Sequence, residues 1–440
     1  MKRIVALAFA AMLLALAGCA TRLEPTPVYP QDVVIAESTA PMTENGTEPE
    51  YIPVLLEPDE PTPYEPPPQY SAFVEYWLVH LTLEEKIGQL IMPRLPWQTT
   101  AVNASLQPWL DAIPFGGFIL FSDNVESIAQ VQALTRDLQA QARLPLFIST
   151  DEEGGRVSRV GRLFDGAAPS AFEIGEAEDL VLAYMTGHRN AHKLYTLGIN
   201  MNFAPVADVW SNPANAVIGN RAFGHTAEDV SPNVAATVNG LQNGGVFATL
   251  KHFPGHGDTY EDSHYQLAFH SHGIDRFWEV EALPFISGIE AGAATVMTGH
   301  ISTPHIGGHT ALLPWMEPWI ESGNLPATFS DFWLQTILRG QLGFEGLIIT
   351  DGLEMRALTD HFTCGQIALG AFLAGADILL IPANPAEAFQ ALLDGYHAGY
   401  FGMERLDASV RRILRMKDCC GMANSNISRN CALHSVPLVP

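Results

Sequence analysis

The chain has 440 residues, 47% of them hydrophobic, and a formal charge of −25 from 48 acidic and 23 basic side chains. That length fits one large or two ordinary domains. The deficit of Lys and Arg excludes a nucleic-acid-binding protein, because such proteins neutralise phosphates with clustered basic residues.

The N-terminal stretch MKRIVALAFAAMLLALAGCA joins two basic residues to a short apolar run, which is typical of an export signal rather than of a mature membrane-spanning helix. Its end, Leu16 to Cys19, resembles the lipobox of bacterial lipoproteins. The resemblance implies a signal peptide over residues 1–18 and a lipid on the Cys19 thiol, which would anchor the mature protein to a bacterial membrane outside the cytoplasm. Since Ala20 is not an acidic retention signal, the outer membrane is favoured. The alternative is an ordinary secretory signal that happens to contain a cysteine.

Residues 19–69 form the predicted linker. Twelve of the 31 prolines fall between residues 21 and 69, among many Glu and Thr residues. Such a segment buries too little apolar surface to offset the entropy lost on ordering it, so we predict an extended tether. A tether behind a lipid anchor would hold a folded domain away from the membrane.

Residues 70–417 alternate helical with strand-like segments and form the predicted folded domain. The stretch SAFVEYWLVHLTLEEKIGQLIM is helical, with Thr82 and Glu85 spaced as the capping box of a second helix. Short runs rich in Val, Ile, Leu and Phe then recur between amphipathic stretches, which predicts an α/β fold with a parallel sheet. Seven or eight such units over roughly 350 residues suit a single (β/α)8 barrel better than an open doubly wound sheet.

Polar side chains follow most of the predicted strands, at the end where barrel enzymes place their active sites. The residues in this position are Asp123, Asn124, Asp151, Asp208, Lys251, His252, His300 and Asp351. Trp210 also follows a strand and is a candidate for stacking on a sugar, with core packing as the alternative. No nucleotide-binding glycine motif follows any strand, and we expect no cofactor.

Residues 418–440 are rich in Asn, Ser and Cys and are predicted to be a flexible tail. Of the five cysteines, Cys419, Cys420 and Cys431 lie here. The five have neither the spacing of a structural zinc site nor that of a disulfide framework. A disulfide within the tail and no special role both remain open.

Four stretches carry a more specific signal. They are TDEEGGRVSR (150–159), IGNRAFG (218–224), KHFPGHGDTYEDSH (251–264) and ITDGLEM (349–355). These stretches resemble motifs of glycoside hydrolase family 3, and more narrowly of its β-N-acetylglucosaminidase branch, and they occur in the order that the family has them. The resemblance covers about Leu81 to Lys417. It implies a retaining exo-β-N-acetylglucosaminidase that removes terminal N-acetylglucosamine from peptidoglycan-type glycans.

The resemblance also implies catalytic roles. Asp351 would be the nucleophile that attacks the anomeric carbon. His264 would be the acid/base on a mobile loop, paired with Asp262. A carboxylate bonded to one imidazole nitrogen fixes the tautomer and supports the imidazolium, and a histidine already titrates near neutral pH. One departure is Gly352, where many relatives carry a second Asp.

The partner implied is a carbohydrate. By resemblance, the residues that hold the terminal sugar are Asp151, Arg159, Arg221, Lys251 and His252. His256 and Asp258 shape the loop, Glu152, Glu153 and Arg156 favour loop-stabilising salt bridges, and His300 is a candidate for lining the pocket. We expect a monomer.

Other functions remain to be weighed. A family 3 β-glucosidase is the nearest alternative, and phosphate in place of water as the acceptor is a minor one. A metal-dependent hydrolase would use His252, His256, Asp258 and His264, but the Pro254–Gly255 pair prevents the two nearest histidines from sharing a helix face, so we predict no metal. A non-catalytic glycan-binding lipoprotein would be expected to have lost the nucleophile or the dyad, and neither is missing here.

Overall fold

The computed structural model describes residues 71–263 and 265–419. Predictions that concern residues outside this part are the signal peptide with Cys19, the linker, the acid/base His264 and the tail beyond residue 419. Within the described ranges, no helix is long and apolar enough to cross a membrane.

Twelve short strands are present in the described part of the chain. In chain order they are β1 Ile91–Met92, β2 Gly117–Ile119, β3 Phe147–Thr150, β4 Glu152–Gly154, β5 Val157–Ser158, β6 Met201–Asn202, β7 Phe247–Phe253, β8 Ala268–Phe269, β9 Thr295–Thr298, β10 Ile301–Ser302, β11 Leu347–Thr350 and β12 Leu379–Leu380. Six of them form a parallel sheet in the order β11-β9-β7-β6-β3-β2. Every residue of these six strands is buried, as expected where both faces of a sheet are covered. The predicted α/β fold with a parallel sheet is therefore confirmed.

Two further parallel strands, β1 and β12, contact the two edges of this sheet, whereas β8 and β10 form a separate parallel pair. Strands β1 and β12 pair with each other. Single bridges then join Arg94, just after β1, to Ile119 of β2, and Ile349 of β11 to Ile378, just before β12. The pair β1–β12 thus contacts both edge strands of the six-stranded sheet.

Helices alternate with the strands along the chain. Those longer than three residues are α1 Ala72–His80, α2 Leu83–Gln89, α3 Gln107–Ala112, α4 Ile128–Gln141, α5 Ala171–Glu176, α6 Leu180–Thr196, α7 Ala227–Asn243, α8 Ala282–Glu290, α9 Glu317–Glu321, α10 Arg356–Thr359, α11 Cys364–Ala374, α12 Pro385–His397 and α13 Met403–Cys419, together with the π-helices Phe277–Glu281 and Phe332–Gln341. Most of the longer helices begin at a Ser, Thr, Asp or Asn side chain that accepts a bond from the first turn, which satisfies an otherwise unpaired N–H group. The capping box of α2 is confirmed, because Thr82 Oγ1 accepts from Glu85 N and Glu85 Oε2 accepts from Thr82 N.

The last described helix packs against the first two helices. Helix α13 packs on α1 and α2. Lys86 Nζ lies 2.6 Å from Asp407 Oδ1, and Lys417 Nζ donates to Gln89 Oε1 at 2.6 Å. Leu406, Val410 and Ile413 of this helix are buried in the same contact region. The segment therefore belongs to the folded domain, and its helix extends through Cys419, two residues beyond the predicted domain boundary.

Candidate active site

Several of the predicted site residues lie at the carboxyl end of the parallel strands. Lys251 and His252 lie near the end of β7, and Asp351 directly follows β11. Val206, after β6, forms a parallel bridge with Lys251, and the amide of Asp351 donates to Thr298 O at the end of β9 at 2.9 Å. Since parallel strands end at the same edge of a sheet, these side chains share one mouth of the domain.

Four charged side chains form a compact cluster at this mouth. Lys251 Nζ lies 2.8 Å from Asp151 Oδ1 and 2.6 Å from Glu153 Oε1. Arg221 holds the same Glu153 carboxylate through two bonds of 2.8 Å. The planar guanidinium and the carboxylate match in a two-bond geometry, which fixes both groups in orientation as well as distance. Glu153 thus connects Arg221 to Lys251.

The charges within this buried cluster shift the pKa values of its members. Burial alone would raise the pKa of Glu153, but the charges of Arg221 and Lys251 outweigh it and hold that pKa well below its usual range. Burial alone would lower the pKa of Lys251, but Asp151 and Glu153 outweigh it and raise that pKa. The cluster thus pairs two cationic side chains, Lys251 and Arg221, with two carboxylates, Asp151 and Glu153, so its formal charges cancel.

His252 is oriented by a buried carboxylate. Its Nδ1 lies 2.7 Å from Asp208 Oδ2, and its backbone N donates to Asp208 Oδ1 at 3.1 Å. Asp208 Oδ1 also accepts from the backbone N of His256 at 2.6 Å. Burial alone would raise the pKa of Asp208, but its interactions with the two histidines keep that pKa below its usual range. The Nε2 atom of His252 lies 3.4 Å from Arg221 Nη2, so the ring also reaches the charged cluster.

The loop after β7 contains the predicted dyad. Asp262 is half-buried and its carbonyl accepts from the amides of Tyr265 and Gln266, whereas His264 lies outside the described residues, so the roles of both remain predictions. Buried His256 organises the loop, with its Nδ1 2.6 Å from Thr259 Oγ1 and its Nε2 3.0 Å from Ser263 Oγ. Burial and the nearby His252 lower the pKa of His256 to about 4, so His256 is neutral and serves as a hydrogen-bonding strut.

The surroundings of Asp351 are set by backbone groups. Its Oδ1 accepts from the Gly352 amide at 2.7 Å. The carbonyl of Gly352 lies 3.0 Å from His300 Nε2, and His300 Nδ1 lies 2.7 Å from Thr328 Oγ1. His300 is fully buried. It therefore supports the turn that carries Asp351, and the role of Asp351 as nucleophile remains a prediction.

A small hairpin, β4–β5, presents Arg159. Glu152 accepts from Ser158 Oγ and from the amides of Arg159 and Val160 at 2.6–2.8 Å, which closes the hairpin. The Arg159 guanidinium lies 5.6 Å from the centre of the Phe121 ring, and its Nε is buried without a hydrogen-bond partner among residues 71–263 and 265–419. The hairpin therefore places Arg159 next to the Phe121 ring.

Sequence reasoning missed two connections in this site. Asp208 was recognised as a residue after a strand but not as the partner of His252. Glu153 was expected in a salt bridge, but its two cationic partners lie in other elements, Lys251 in β7 and Arg221 in a short 3-10 helix at Gly219–Arg221. Trp210 packs against Phe172 and His225 at ring distances of 5.7 and 4.6 Å, so core packing is the contact observed.

Metal-binding potential can be judged for the described ranges. Among residues 71–263 and 265–419, no group of three or more His, Cys, Asp and Glu side chains is arranged to hold a metal ion. The nitrogens of His252 and His256 contact Asp208, Thr259 and Ser263 instead.

The chain is similar in sequence and in structure to proteins of one glycoside hydrolase family. Residues 82–416 match the family described as "Glycosyl hydrolase family 3 N terminal domain". A β-hexosaminidase A of Pseudoalteromonas piscicida is 35% identical over 336 residues, which cover 72% of this chain and 56% of that protein. A β-hexosaminidase of Xanthomonas oryzae is 34% identical over 303 residues, or 67% of this chain and 84% of that protein. A glycoside hydrolase family 3 β-N-acetylglucosaminidase from a Paenibacillus species superposes with a TM-score of 0.70 at 37% identity, over 79% of this chain and 64% of that one.

Proposed function

The chain belongs to glycosyl hydrolase family 3, and we propose that it is a retaining exo-β-N-acetylglucosaminidase that acts on the terminal β-linked N-acetylglucosamine of peptidoglycan-type glycans. The observation that carries this proposal is the cluster of Lys251, Asp151, Glu153 and Arg221 beside His252, on the same strand edge as Asp351. Relatives with the names β-hexosaminidase and β-N-acetylglucosaminidase support the amino-sugar.

The spacing of the strands suits one pyranose ring. Asp351 follows β11 and Lys251 lies in β7, with β9 between them. Neighbouring strands are about 4.8 Å apart, so the two backbones are separated by roughly 10 Å. A pyranose held by the charged cluster would then lie with its anomeric carbon within reach of the Asp351 carboxylate. The cluster is neutral overall and offers fixed donors and acceptors, which matches an uncharged polyhydroxylated ring.

The reaction would proceed in two displacements. In the first, a carboxylate oxygen of Asp351 attacks the anomeric carbon while His264, supported by Asp262, gives its proton to the leaving oxygen. In the second, neutral His264 takes a proton from water, the water oxygen attacks the same carbon, and Asp351 is released. Two inversions return the β-configuration.

The domain that carries these residues would be a single (β/α)8 barrel over residues 70–417. Support comes from the β1–β12 pair and from the bridges of Arg94 to Ile119 and of Ile349 to Ile378, which connect eight parallel strands in a ring-like order. The site at the carboxyl ends of the strands is where barrels place their chemistry.

The test is hydrolysis by the full chain of the p-nitrophenyl β-glycosides of N-acetylglucosamine and of glucose. We expect a higher kcat/KM for the amino-sugar than for the glucoside. Faster cleavage of the glucoside would contradict the proposed specificity and would favour the β-glucosidase alternative. Inclusion of phosphate, with detection of the sugar 1-phosphate, distinguishes phosphorolysis from hydrolysis.

Added azide can act as an external nucleophile, and the anomeric configuration of the glycosyl azide that forms shows whether a variant has lost the nucleophile or the acid/base. In Asp351→Ala the azide would occupy the vacated carboxylate space and attack from the α face, giving the α-glycosyl azide. In His264→Ala the glycosyl-enzyme still forms from an activated substrate, and azide would give the β-product. His397→Ala, an exposed histidine at the end of α12, is the control and should behave as wild type. An unchanged rate in Asp351→Ala would overturn its assignment as the nucleophile.

We also propose that the enzyme acts as a monomer, lipid-anchored through Cys19 outside the cytoplasm, with the outer membrane favoured. The basic start, the apolar run and the sequence Leu16 to Cys19 support this. Radiolabelled palmitate should enter the wild-type protein and not Cys19→Ser, which should leave the membrane fraction. Equal labelling of both proteins would contradict the proposal.

A further inference from the structure

A buried carboxyl group lies directly behind the loop that follows β7. Glu281 is the last residue of the π-helix Phe277–Glu281 and is only 2% exposed. Its Oε1 accepts from Arg276 Nε at 3.2 Å, whereas its Oε2 is buried and has no hydrogen-bond partner among the described residues. A buried polar atom without a partner costs free energy, and native proteins contain few of them. The half-satisfied carboxyl group therefore indicates a role other than stabilising the fold.

The side chain of Glu281 packs against Gly255, in the first turn of this loop. A Cβ atom placed on Gly255 would lie 2.8 Å from Glu281 Cγ and 3.0 Å from Glu281 Cβ, which is closer than van der Waals contact. Gly255 has a φ of +128°, a conformation that favours glycine. Glu281 thus fills the space behind this turn and prevents the turn from moving backward.

The turn at Gly255 is connected to the proposed sugar-binding residues. The amide of Gly255 donates to His252 O at 2.7 Å, and the next amide, that of His256, donates to Asp208 Oδ1 at 2.6 Å. The other carboxylate oxygen of Asp208 lies 2.7 Å from His252 Nδ1. A shift of Gly255 would therefore move His256 away from Asp208 and release the His252 ring from its orientation.

A second side chain holds the same turn from the end of β8. His270 Nε2 donates to Gly255 O at 2.9 Å. The amide of His270 donates in turn to Ser302 O at 2.8 Å, and Ser302 belongs to β10. Gly255 is thus held between the Glu281 side chain and a bond to the β8–β10 pair.

We propose that Glu281 is a positioning residue of the active site, which supports Gly255 and so holds His252 and His256 on Asp208. The inference rests on the proposed glycosidase activity. Glu281 would not touch the sugar, and it would act through the turn at Gly255.

The charges around Glu281 determine when it can give this support. Burial raises the pKa of Glu281 to about 7, against the opposing charge of Arg276, and the carboxylate of Asp258 adds to the rise. The other titratable groups at this contact are His270, whose Nε2 is bonded to the loop, and His272, whose Nε2 lies 2.7 Å from Asp258 Oδ2. Glu281 is therefore neutral below pH 7 and ionises above it.

Ionisation would disturb the contact. An ionised carboxylate whose Oε2 has no donor is a buried and unsatisfied charge, which is costly unless the neighbouring groups rearrange. The nearest backbone that can rearrange is the turn at Gly255. We therefore expect the His252 ring to lose its orientation as Glu281 ionises, and binding and cleavage of the sugar to decline with it.

The test is the pH dependence of kcat/KM for 2,4-dinitrophenyl β-N-acetylglucosaminide in the full-length protein. This leaving group departs without a proton, so the protonation of His264 does not limit the first displacement. Glu281→Gln keeps the shape of the neutral acid and cannot ionise. The ratio of kcat/KM in Glu281→Gln to that in the wild type should therefore rise about tenfold between pH 7 and 8.5. Other titrating groups cancel in this ratio.

Two further variants complete the experiment. Arg276→Gln removes the cation that favours ionised Glu281, so the alkaline decline should begin at a higher pH than in the wild type. Glu279→Gln is the matched control, because Glu279 is an exposed glutamate on the same π-helix, and its pH profile should follow the wild type.

The outcomes separate the role of Glu281 from the function on which it rests. If the wild type cleaves no β-N-acetylglucosaminide at any pH, the glycosidase proposal fails and the role of Glu281 fails with it. If the wild type is active, a constant ratio between Glu281→Gln and wild type from pH 7 to 8.5 refutes the positioning role alone. Should Glu281→Gln not fold, the profile of Arg276→Gln decides, and an alkaline decline at the wild-type pH would refute the role.

Discussion

Replacing Lys417 should reveal the cost of a charge buried at the amino end of the sheet. Its side chain is fully buried. Its Nζ donates to Gln89 Oε1 at 2.6 Å and lies 5.0 Å from the centre of the Phe147 ring. No carboxylate of residues 71–263 and 265–419 forms an ion pair with it. Burial consequently lowers the pKa of Lys417 from 10.5 to about 7.

The sign and size of the effect follow from proton binding. Between pH 7 and 10.5 the unfolded chain keeps the Lys417 proton and the folded chain releases it, so the free energy of unfolding rises with pH. Each pH unit in this window contributes about 1.4 kcal/mol. Between pH 8 and 10, Lys417 should therefore add about 2 to 3 kcal/mol to the stability of the wild type. Lys417→Met lacks this titration.

The assay is urea unfolding of the wild type and of Lys417→Met at pH 8, 9 and 10. The difference between the two proteins is the decisive quantity, because every other titrating group cancels in it. Met also leaves Gln89 Oε1 without its donor, at a constant cost of about 1–3 kcal/mol, which does not alter the dependence on pH. Lys86→Met is the control, because it removes a buried lysine that, unlike Lys417, has a carboxylate partner, Asp407. Loss of this ion pair should lower the free energy of unfolding at pH 8. A difference between wild type and Lys417→Met that stays constant from pH 8 to 10 would refute the reasoning.

Three further predictions concern buried polar groups. Glu153→Gln breaks the pairing with Arg221 and Lys251, so kcat/KM for the β-N-acetylglucosaminide should fall at least about tenfold. Urea unfolding of the same variant should show a loss of about 3–5 kcal/mol in the free energy of unfolding. Wild-type values for both quantities would contradict the role of Glu153 in holding Arg221 and Lys251. His256, with a pKa near 4, resists protonation in the folded state, so stability falls as pH drops below 6.5. Relative to His256→Gln, the wild type should lose about 3 kcal/mol by pH 4, and parallel pH curves would argue against it. Asp377 accepts bonds from two arginines, a serine and a backbone amide, so calorimetry of Asp377→Asn should show a loss of about 3–5 kcal/mol, and an unchanged melting temperature would disprove the network.

Local patterns in the sequence predicted the features whose causes are local. The capping box of Thr82 and Glu85 needs residues three apart, and the structure forms it. The strand before Asp351 was predictable from its run of apolar residues, and the sheet places Asp351 directly after that strand. The parallel α/β fold followed from repeated alternation of the same kind.

The partners within the site could not be predicted from local patterns. His252 and Asp208 are 44 positions apart, and Arg221 and Glu153 are 68 apart. Which loops meet depends on the order of the strands and on where each short strand ends, and one residue of register changes which side chain faces the mouth. The spacing of charged residues after strands indicated a site but not its internal connections.

The contact of α13 with the first two helices also determines when the domain can be completed during synthesis. The bond between Lys86 and Asp407 spans 321 positions, and that between Gln89 and Lys417 spans 328. Contacts so distant along the chain form slowly, because a long loop must close before they contribute. The apolar surfaces of α1 and α2 that α13 covers therefore stay exposed while some three hundred residues are made.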